Sequence, residues 1–300
     1  MASVSEIEEL VKRLYDEEAE KNSKLFGIKK EHLIEDAKVE VSYLTASAFS
    51  YRYSGNGSKA KIRVPFTARL KKLGSRTEKY LRHEVRHGIA RKVRAHVIRQ
   101  NPEQFMNYFQ DNFEKANDPK CIDQLINFPL MPKWKKELLL KYKEIDFDSA
   151  EDIAANADTI SMVYLFEGMA ENRAFGSLEE TFADDGLGKY DEFKDSKFPK
   201  VLAGTTIISA AATATSIALD LYLVAAIGAF STLLNGVAYV SSKMSKTHYS
   251  SLPEGADISS EVLEEFPIAQ RKYLVTFPPI NGDYVKTLRH VRRYGINIKN

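Results

Sequence analysis

Residues 201–242 limit the possible folds of this 300-residue chain more than any other stretch. They contain no Lys, Arg, Glu or His, and their one acid, Asp220, separates two halves of roughly the 20 residues that a helix needs to cross a bilayer. Basic flanks at both ends are typical of a membrane hairpin whose termini lie in the cytoplasm. The flanking residues are Lys194, Lys197, Lys200, Lys243 and Lys246. The sequence therefore predicts a transmembrane helical hairpin at 201–242, and an apolar hairpin buried in a soluble protein is the alternative.

The composition of the chain limits the cellular compartment and the classes of partner that we expect. A formal net charge of +2 gives no reason to expect nucleic-acid binding. One cysteine, Cys121, excludes a disulfide framework within the chain and fits a reducing compartment. The N-terminus does not resemble a secretory signal. Residues 1–21 instead predict an acidic amphipathic helix that begins with Ser5 and Glu8 as a capping box.

The string His83-Glu84-Val85-Arg86-His87 is the part of the sequence that indicates chemistry. Residues four apart lie on one face of an α-helix, so both imidazoles can point at one metal ion. Glu84 lies one step round the helix, where it can reach a water bound to that ion. Ser75 or Thr77 offers the N-cap of a helix of roughly five or six turns, at about 3.6 residues per turn. The helix should end before Asn101-Pro102 because the residue before a proline disfavours α geometry. The spacing therefore predicts a long helix that carries all three side chains.

A solvated helix face is the alternative interpretation of this motif, since the segment also carries four arginines. These are Arg82, Arg86, Arg91 and Arg94. A third metal ligand would favour the metal site over this alternative. The next histidine, His96, lies about 13 Å along the helix at 1.5 Å per residue, too far to share an ion with His83 and His87. The third ligand must therefore come from another part of the chain.

A downstream string, Glu167-Gly168-Met169-Ala170-Glu171, supplies a candidate third ligand. Together with the His83–His87 motif it resembles the gluzincin metallopeptidases, in which a second helix contributes a glutamate, often within an E-G-x-A string. The resemblance covers these two short motifs within residues 40–180. It implies a Zn²⁺ site formed by His83, His87 and Glu167, with Glu84 as the general base. Glu171, one turn further along the helix, is the alternative ligand.

The resemblance also implies a reaction. Zinc lowers the pKa of its bound water to about 7, which supplies hydroxide near neutral pH. Glu84 would accept the water proton and pass it to the leaving amine of a peptide or protein substrate. Another side chain would hold the oxyanion charge, and the sequence does not choose between the candidates. These are Tyr80, Tyr164, His96 and Arg173.

Three alternating segments before the motif predict a small antiparallel sheet. They are Val39–Leu44, Phe49–Tyr53 and Lys59–Val64. Ser54–Ser58, between the last two, has the Gly and Asn residues of a hairpin turn. The resemblance implies that such a sheet precedes the metal helix and that one of its edge strands pairs with the substrate backbone. Residues 46–53 or 62–64 would form that edge.

These interpretations combine into an α+β fold, mostly α, in which the small sheet packs on the metal-binding helix and an apolar helical hairpin follows. We expect a metallopeptidase domain at 1–190, a linker at 191–200, the hairpin at 201–242 and a polar, basic tail at 243–300. The expected function is zinc-dependent peptide-bond hydrolysis by an endopeptidase held in a membrane lipid bilayer, with its catalytic domain facing the cytoplasm.

Two alternatives stand beside this expectation. In the first, the chain is a non-catalytic, membrane-associated helical protein whose metal motif is coincidental or degenerate. In the second, it is a soluble cytoplasmic metallopeptidase whose apolar hairpin is buried against a partner or a second protomer.

Overall fold

The computed structural model divides the chain into two compact units. The main unit comprises Met1–Leu187 and Pro253–Asn300, and the hairpin unit comprises Gly188–Leu252. The residues that the structure describes are 2–42, 50–55, 58–65, 75–112, 122–123, 126–127, 131–163, 198–218, most of 221–239 and 263–276.

Helices make up most of the described chain, and three short strands form one sheet. The helices are α1 (Val4–Phe26), α2 (Lys30–Leu33), α3 (Ser75–Gln100), α4 (Pro102–Asn112), α5 (Lys133–Lys143), α6 (Ala150–Ala155), α7 (Ala157–Val163), α8 (Phe198–Ala218) and α9 (Ile268–Thr276). The strands are β1 (Lys38–Ser42), β2 (Ser50–Arg52) and β3 (Lys61–Pro65). Helix α8 belongs to the hairpin unit and the other elements to the main unit. The prediction of a mostly α, α+β fold is therefore confirmed.

The sheet has the order β1-β3-β2, with β3 in the centre. Strands β2 and β3 are antiparallel, and Tyr51 lies opposite Ile62. Strand β1 runs parallel to β3, so the prediction of a purely antiparallel sheet is wrong. The turn chemistry, with Gly55 at φ +90°, determines the β2–β3 hairpin. The residue pattern of β1 predicts a strand but leaves its neighbour and direction open, and β1 pairs with the side of β3 opposite β2.

Helix α1 begins two residues earlier than the sequence analysis indicated. The Oγ atom of Ser3 accepts from the backbone N–H of Glu6 at 3.1 Å, and the backbone N–H of Ser3 donates to Oε2 of Glu6 at 2.6 Å. The capping box is therefore Ser3–Glu6, and Ser5 is already inside the helix. The helix ends at Gly27, whose φ of +62° is a left-handed conformation that glycine adopts without strain.

Helix α3 lies in the centre of the main unit and contacts α1, α7, α9 and strand β2. Between Leu81 and Ile98 every residue is buried except three half-buried ones, Arg82, Lys92 and His96. Arg91 and Arg94 are 1 % and 0 % exposed. The alternative of a solvated helix face is therefore wrong, because this helix is enclosed on all sides and its charged side chains are buried with it.

The hairpin unit contains α8 and further helical residues between 222 and 239, here called the 222–239 segment. The two contact each other, since the Oγ atoms of Ser209 and Ser231 are 3.3 Å apart. The described residues of 201–242 are helical except Leu221. Among the described helices of the chain, none is both long enough and apolar enough to cross a membrane.

Candidate metal centre

Two histidines and a glutamate lie together on one buried side of α3. His83, Glu84 and His87 are 2 %, 6 % and 8 % exposed. His83 and His87 are one helical turn apart, and their Nε2 atoms approach each other to 3.1 Å. Their rings are nearly perpendicular, with centroids 4.6 Å apart. The predicted convergence of these three residues is therefore present.

The donor atoms of this cluster fit a metal ion. One ligand atom from each of His83, Glu84 and His87 lies within 4.8 Å of the other two. Two nitrogens 3.1 Å apart can both lie about 2.0–2.1 Å from one ion, the usual Zn–N distance. Imidazole nitrogens with a carboxylate oxygen suit zinc and other first-row divalent cations. These three residues can hold a metal ion, and the donor set alone leaves the choice among those cations open.

Strand β2 fixes the carboxylate of Glu84. Oε2 of Glu84 accepts a hydrogen bond from the backbone N–H of Tyr51 at 2.6 Å, and the contact is buried. A charge-assisted hydrogen bond of this length is stronger than one between neutral groups. Since β3 pairs with β2 on one side, the Tyr51 N–H reaches Glu84 from the other side of the strand. The sheet therefore meets the metal helix at the side of β2 that faces away from β3.

A buried network of charges surrounds the phenol of the same tyrosine. The hydroxyl of Tyr51 donates to Oε2 of Glu35 at 2.6 Å and accepts from Nε of Arg91 at 2.8 Å. Arg91 also forms ion pairs with Glu35 and with Asp158, and Arg99 pairs with Asp158. Two cations thus balance two carboxylates, which is how a folded protein tolerates charges that are removed from water.

The network shifts the pKa values of its members. Burial raises the pKa of Tyr51 well above its usual range, and the nearby Glu35 adds to this while Arg91 opposes it. Burial raises the pKa of Asp158, but the charges of Arg91 and Arg99 lower it by more, so the net shift is downward. For Arg91, burial is outweighed by Tyr51, Glu35 and Asp158, and its pKa is raised. At neutral pH the phenol is therefore neutral, and Arg91 and Asp158 are charged.

The guanidinium of Arg91 has an aromatic neighbour as well. Its Cζ atom lies 4.1 Å from the ring centroid of Tyr53, within the range of a cation–π interaction. Arg91 follows His87 by four residues and so lies on the same face of α3. The histidine pair and the charge network therefore occupy consecutive turns of one helix face.

Gly88 lets another tyrosine approach this face. A Cβ atom added at Gly88 would lie 2.2 Å from the hydroxyl oxygen of Tyr15 and 3.2 Å from Cε2 of Tyr51. Only a glycine leaves room for Tyr15 at this position. The hydroxyl of Tyr15 in turn lies 3.5 Å from Oε2 of Glu35. The glycine that follows His87 therefore allows α1 to contact the network directly.

A second charge cluster joins α3 to α1. Glu18, which is 3 % exposed, accepts from Nε of Arg86 at 2.9 Å and from Nη1 of Arg82 at 2.8 Å. Burial raises the pKa of Glu18, but the hydrogen bonds and charges of Arg86 and Arg82 outweigh it and the net shift is downward. This cluster fixes the rotation of α3 about its own axis and, with it, the direction of the metal-binding face.

The remaining predicted residues divide into two groups. Glu167 and Glu171, the candidates for the third ligand, lie outside the described residues, as do Tyr164 and Arg173. His96 lies away from the cluster and beside His32, with ring centroids 5.9 Å apart. Sequence reasoning missed Tyr51, Glu35 and Asp158. Each lies more than 30 residues from its partner on α3, and no local pattern signals such a contact.

No protein-family model, curated protein or solved structure matches this chain significantly. The gluzincin resemblance therefore stays a prediction that rests on the two motifs.

Proposed function

We propose that this chain is a zinc-dependent peptidase whose metal is held by His83 and His87. The observation that carries the proposal is the 3.1 Å approach of their Nε2 atoms beside the buried carboxylate of Glu84. Three protein ligands and one open position are typical of catalytic zinc. Glu167 is the proposed third ligand, with Glu171 as its alternative.

The chemistry follows from the positions of the side chains. When bound, zinc supplies Lewis acidity, which polarises a carbonyl and makes a coordinated water acidic near neutral pH. Glu84 would accept the proton of the attacking water and later return it to the leaving amine. The N–H of Tyr51 holds Oε2 of Glu84, and this bond orients the carboxylate. A carboxylate has lone pairs for further partners, so the bond leaves it able to accept a proton.

The substrate class that we propose is an extended segment of polypeptide, which the gluzincin resemblance implies. A substrate strand that adds to an exposed sheet edge gains backbone hydrogen bonds without a requirement for particular side chains. The described residues do not identify that edge, because the Tyr51 N–H of β2 already donates to Glu84 and this side of β2 contacts α3.

Zinc content is the first test. Purified chain loaded with zinc and freed of excess metal should contain about one zinc per chain, as a site with two imidazoles and a carboxylate does. His83→Ala and His87→Ala should each reduce the content to background. His32→Ala and His96→Ala are matched controls, because these histidines lie outside the cluster, and they should keep the metal. Glu167→Ala and Glu171→Ala identify the third ligand.

Hydrolysis of a denatured protein substrate is the second test. Glu84→Gln should retain zinc and lose at least about 100-fold in rate, the usual effect of removing a general base. A wild-type chain that binds no zinc would disprove the metal centre. In that case the 3.1 Å contact would be a hydrogen bond within a structural histidine pair, and the chain would be non-catalytic.

A further inference from the structure

The hairpin unit has its small and hydroxyl-bearing side chains at the helix contact and its large apolar side chains outside. Ser209 meets Ser231 at 3.3 Å between their Oγ atoms. A Cβ atom added at Gly228 would lie 2.4 Å from Oγ1 of Thr213 and 3.4 Å from its Cα. The two helices therefore touch through glycine, serine and threonine, as closely packed helices in lipid do.

The exposed fractions of the side chains of α8 show the same separation between small and large residues. Its half-buried residues are Ala203, Gly204, Thr206, Ser209 and Thr213. Ser209 and Thr213 lie one turn apart and face the 222–239 segment, at Ser231 and Gly228. The bulky residues point elsewhere: Ile207 is 69 % exposed, Ile208 70 % and Ile217 54 %. At 100° per residue these three isoleucines spread over about 180° of the helix surface.

The 222–239 segment has a similar arrangement. Its less exposed described residues are Ala225, Gly228, Ser231, Thr232, Asn235, Gly236 and Tyr239. Its exposed residues include Tyr222, Val224, Phe230 and Leu233. The described contact is thus made by small and hydroxyl-bearing residues while large apolar residues lie outside, which is the reverse of a hairpin whose outer surface faces water.

Exposed apolar side chains are concentrated in this unit. Of the eleven large apolar residues that are exposed in the described part of the chain, eight belong to the hairpin unit. The exceptions are Ile34, Leu140 and Ile268. The main unit therefore buries its apolar residues in the ordinary way, and the hairpin unit does not.

Several hydroxyl groups of the hairpin also have partners within their own helix. Oγ1 of Thr215 donates to the backbone oxygen of Ala211 at 3.0 Å, and Oγ1 of Thr232 donates to that of Gly228 at 2.9 Å. Thr215 is exposed, yet its hydrogen bond is made to the chain. Such bonds let a threonine face an apolar medium without an unsatisfied donor.

We propose that the outer surface of the hairpin unit contacts the acyl chains of a lipid bilayer. A protein partner would cover one stripe of a helix, whereas the exposed isoleucines of α8 spread over about half of its surface. Residues 201–242 carry no cation and one acid, so a surface facing water would lack the charges that such surfaces have.

The ends of the hairpin fit the same partner. Lysines stand before and after the apolar residues, at positions where anionic lipid headgroups would meet them. They are Lys194, Lys197, Lys200, Lys243 and Lys246. The proposal concerns a surface of the hairpin unit, and it does not depend on the metal centre or on any catalytic activity.

Flotation of the full-length chain with vesicles tests the proposal. Wild type should float with vesicles of phosphatidylcholine alone and more completely when phosphatidylserine is added. A variant with Ile207→Ser, Phe230→Ser and Leu233→Ser should float at least about tenfold less with either vesicle, because apolar area removed from water drives the partition. The matched control is Ile34→Ser with Leu140→Ser, which alters exposed apolar residues of the main unit and should float as wild type does.

A cross-link keeps the test independent of folding. Ser209→Cys with Ser231→Cys, in a chain that carries Cys121→Ser, should form a disulfide on mild oxidation because the native Oγ atoms are 3.3 Å apart. The cross-link should form equally well when Ile207, Phe230 and Leu233 are replaced by serine. Reduced flotation would then report the lost surface and not a lost hairpin.

Three outcomes would overturn the proposal. Wild type could remain with the unbound protein in both vesicle preparations. It could float only with phosphatidylserine, with the serine variant floating equally, which would show binding by the lysines alone. It could fail to float and form a dimer that the serine variant does not form, which would identify a second copy of the chain as the partner.

Discussion

Tyr51 connects the metal centre to the charge network through two different atoms. Its backbone N–H holds Glu84, and its hydroxyl lies between Glu35 and Arg91. A movement of this residue would therefore disturb the general base and the buried arginine together. The side chain and the backbone can be separated by experiment, because a substitution removes the hydroxyl and keeps the N–H.

Tyr51→Phe should lower the free energy of unfolding and leave the metal in place. The change removes a donor to Glu35 and an acceptor for Arg91, and losing one partner of a buried polar group costs about 1–3 kcal/mol. Urea unfolding with zinc analysis checks both parts. Tyr142→Phe is the matched control, since Tyr142 is a buried tyrosine of α5 away from the network, and it should cost less. A Tyr51→Phe chain as stable as wild type would show that the network contributes little.

At the scale of elements, the contact between α1 and α3 depends on one buried carboxylate. Glu18 pairs with Arg82 and Arg86, and side-chain exposures are 4 % for Glu18 and 8 % for Arg86. Its neighbour Glu17 pairs with Arg82 as well, but its side chain is 40 % exposed. The two glutamates are thus a natural comparison between a buried and a solvated ion pair.

Glu18→Gln should destabilise the chain by about 3 kcal/mol, because it removes the negative charge from the buried ion pair with Arg86. Glu17→Gln should cost less than about 1 kcal/mol, as exposed ion pairs do. Chemical unfolding of both variants under one set of conditions makes the comparison. Equal effects would mean that the buried contact between the two helices does not depend on charge.

The same elements show what the sequence can and cannot predict. The end of α3 follows from a local signal, Asn101-Pro102, and is correct. Its start is earlier than predicted, because Ser75 and Thr77, the two candidate N-caps, both lie inside the helix. The start of α1 is ambiguous because two overlapping strings, Ser3–Glu6 and Ser5–Glu8, satisfy the same capping rule. The direction of β1 is not encoded locally, since the residue types of Lys38–Ser42 alternate in the same way in a parallel and in an antiparallel pair.

Some residues of the candidate site can be predicted from the sequence, and others are brought there only by the tertiary fold. His83, Glu84 and His87 share one helical turn, so their spacing alone brings them together. Tyr51 and Asp158 reach α3 from other elements, and their positions follow from the tertiary fold. An arginine such as Arg91 appears solvated from sequence alone, because its burial depends on partners that are distant along the chain.

At the scale of the whole molecule, the main unit is formed by two segments, one before and one after the hairpin unit in the sequence. Helix α9 follows the hairpin in the chain and contacts α1 and α3. Nη1 of Arg271 donates to the backbone oxygen of Leu25 at 3.3 Å, and Nδ2 of Asn101 lies 3.5 Å from the hydroxyl of Tyr273. A tail described from sequence as polar and basic thus contributes Leu274 and Val275 to the core.

His96 lies on α3 near α2 and α9 and makes this assembly sensitive to pH. Burial is the main cause that lowers the pKa of His96 from 6.5 to about 4, and Lys272, His32 and Arg99 add to it. As the pH falls from 6.5 towards 4, the unfolded chain binds a proton at this position and the folded chain does not. The free energy of unfolding should therefore decrease across this window.

Metal-free chain should lose about 1–2 kcal/mol of stability at His96 between pH 6.5 and 4, less than the full linkage value because the ring is partly in contact with solvent. Glu18 and Asp158 also lose stabilising charge as their carboxylates are protonated at the acid end. His96→Gln removes only the titrating imidazole, so the difference in unfolding free energy between wild type and variant gives the contribution of His96. Urea unfolding at several pH values gives the two curves. They should run parallel above pH 7 and diverge below 6.5, with the steeper fall in wild type. Curves that stay parallel down to pH 4 would mean that the docking of α9 leaves His96 as accessible to protons as it is in the unfolded chain.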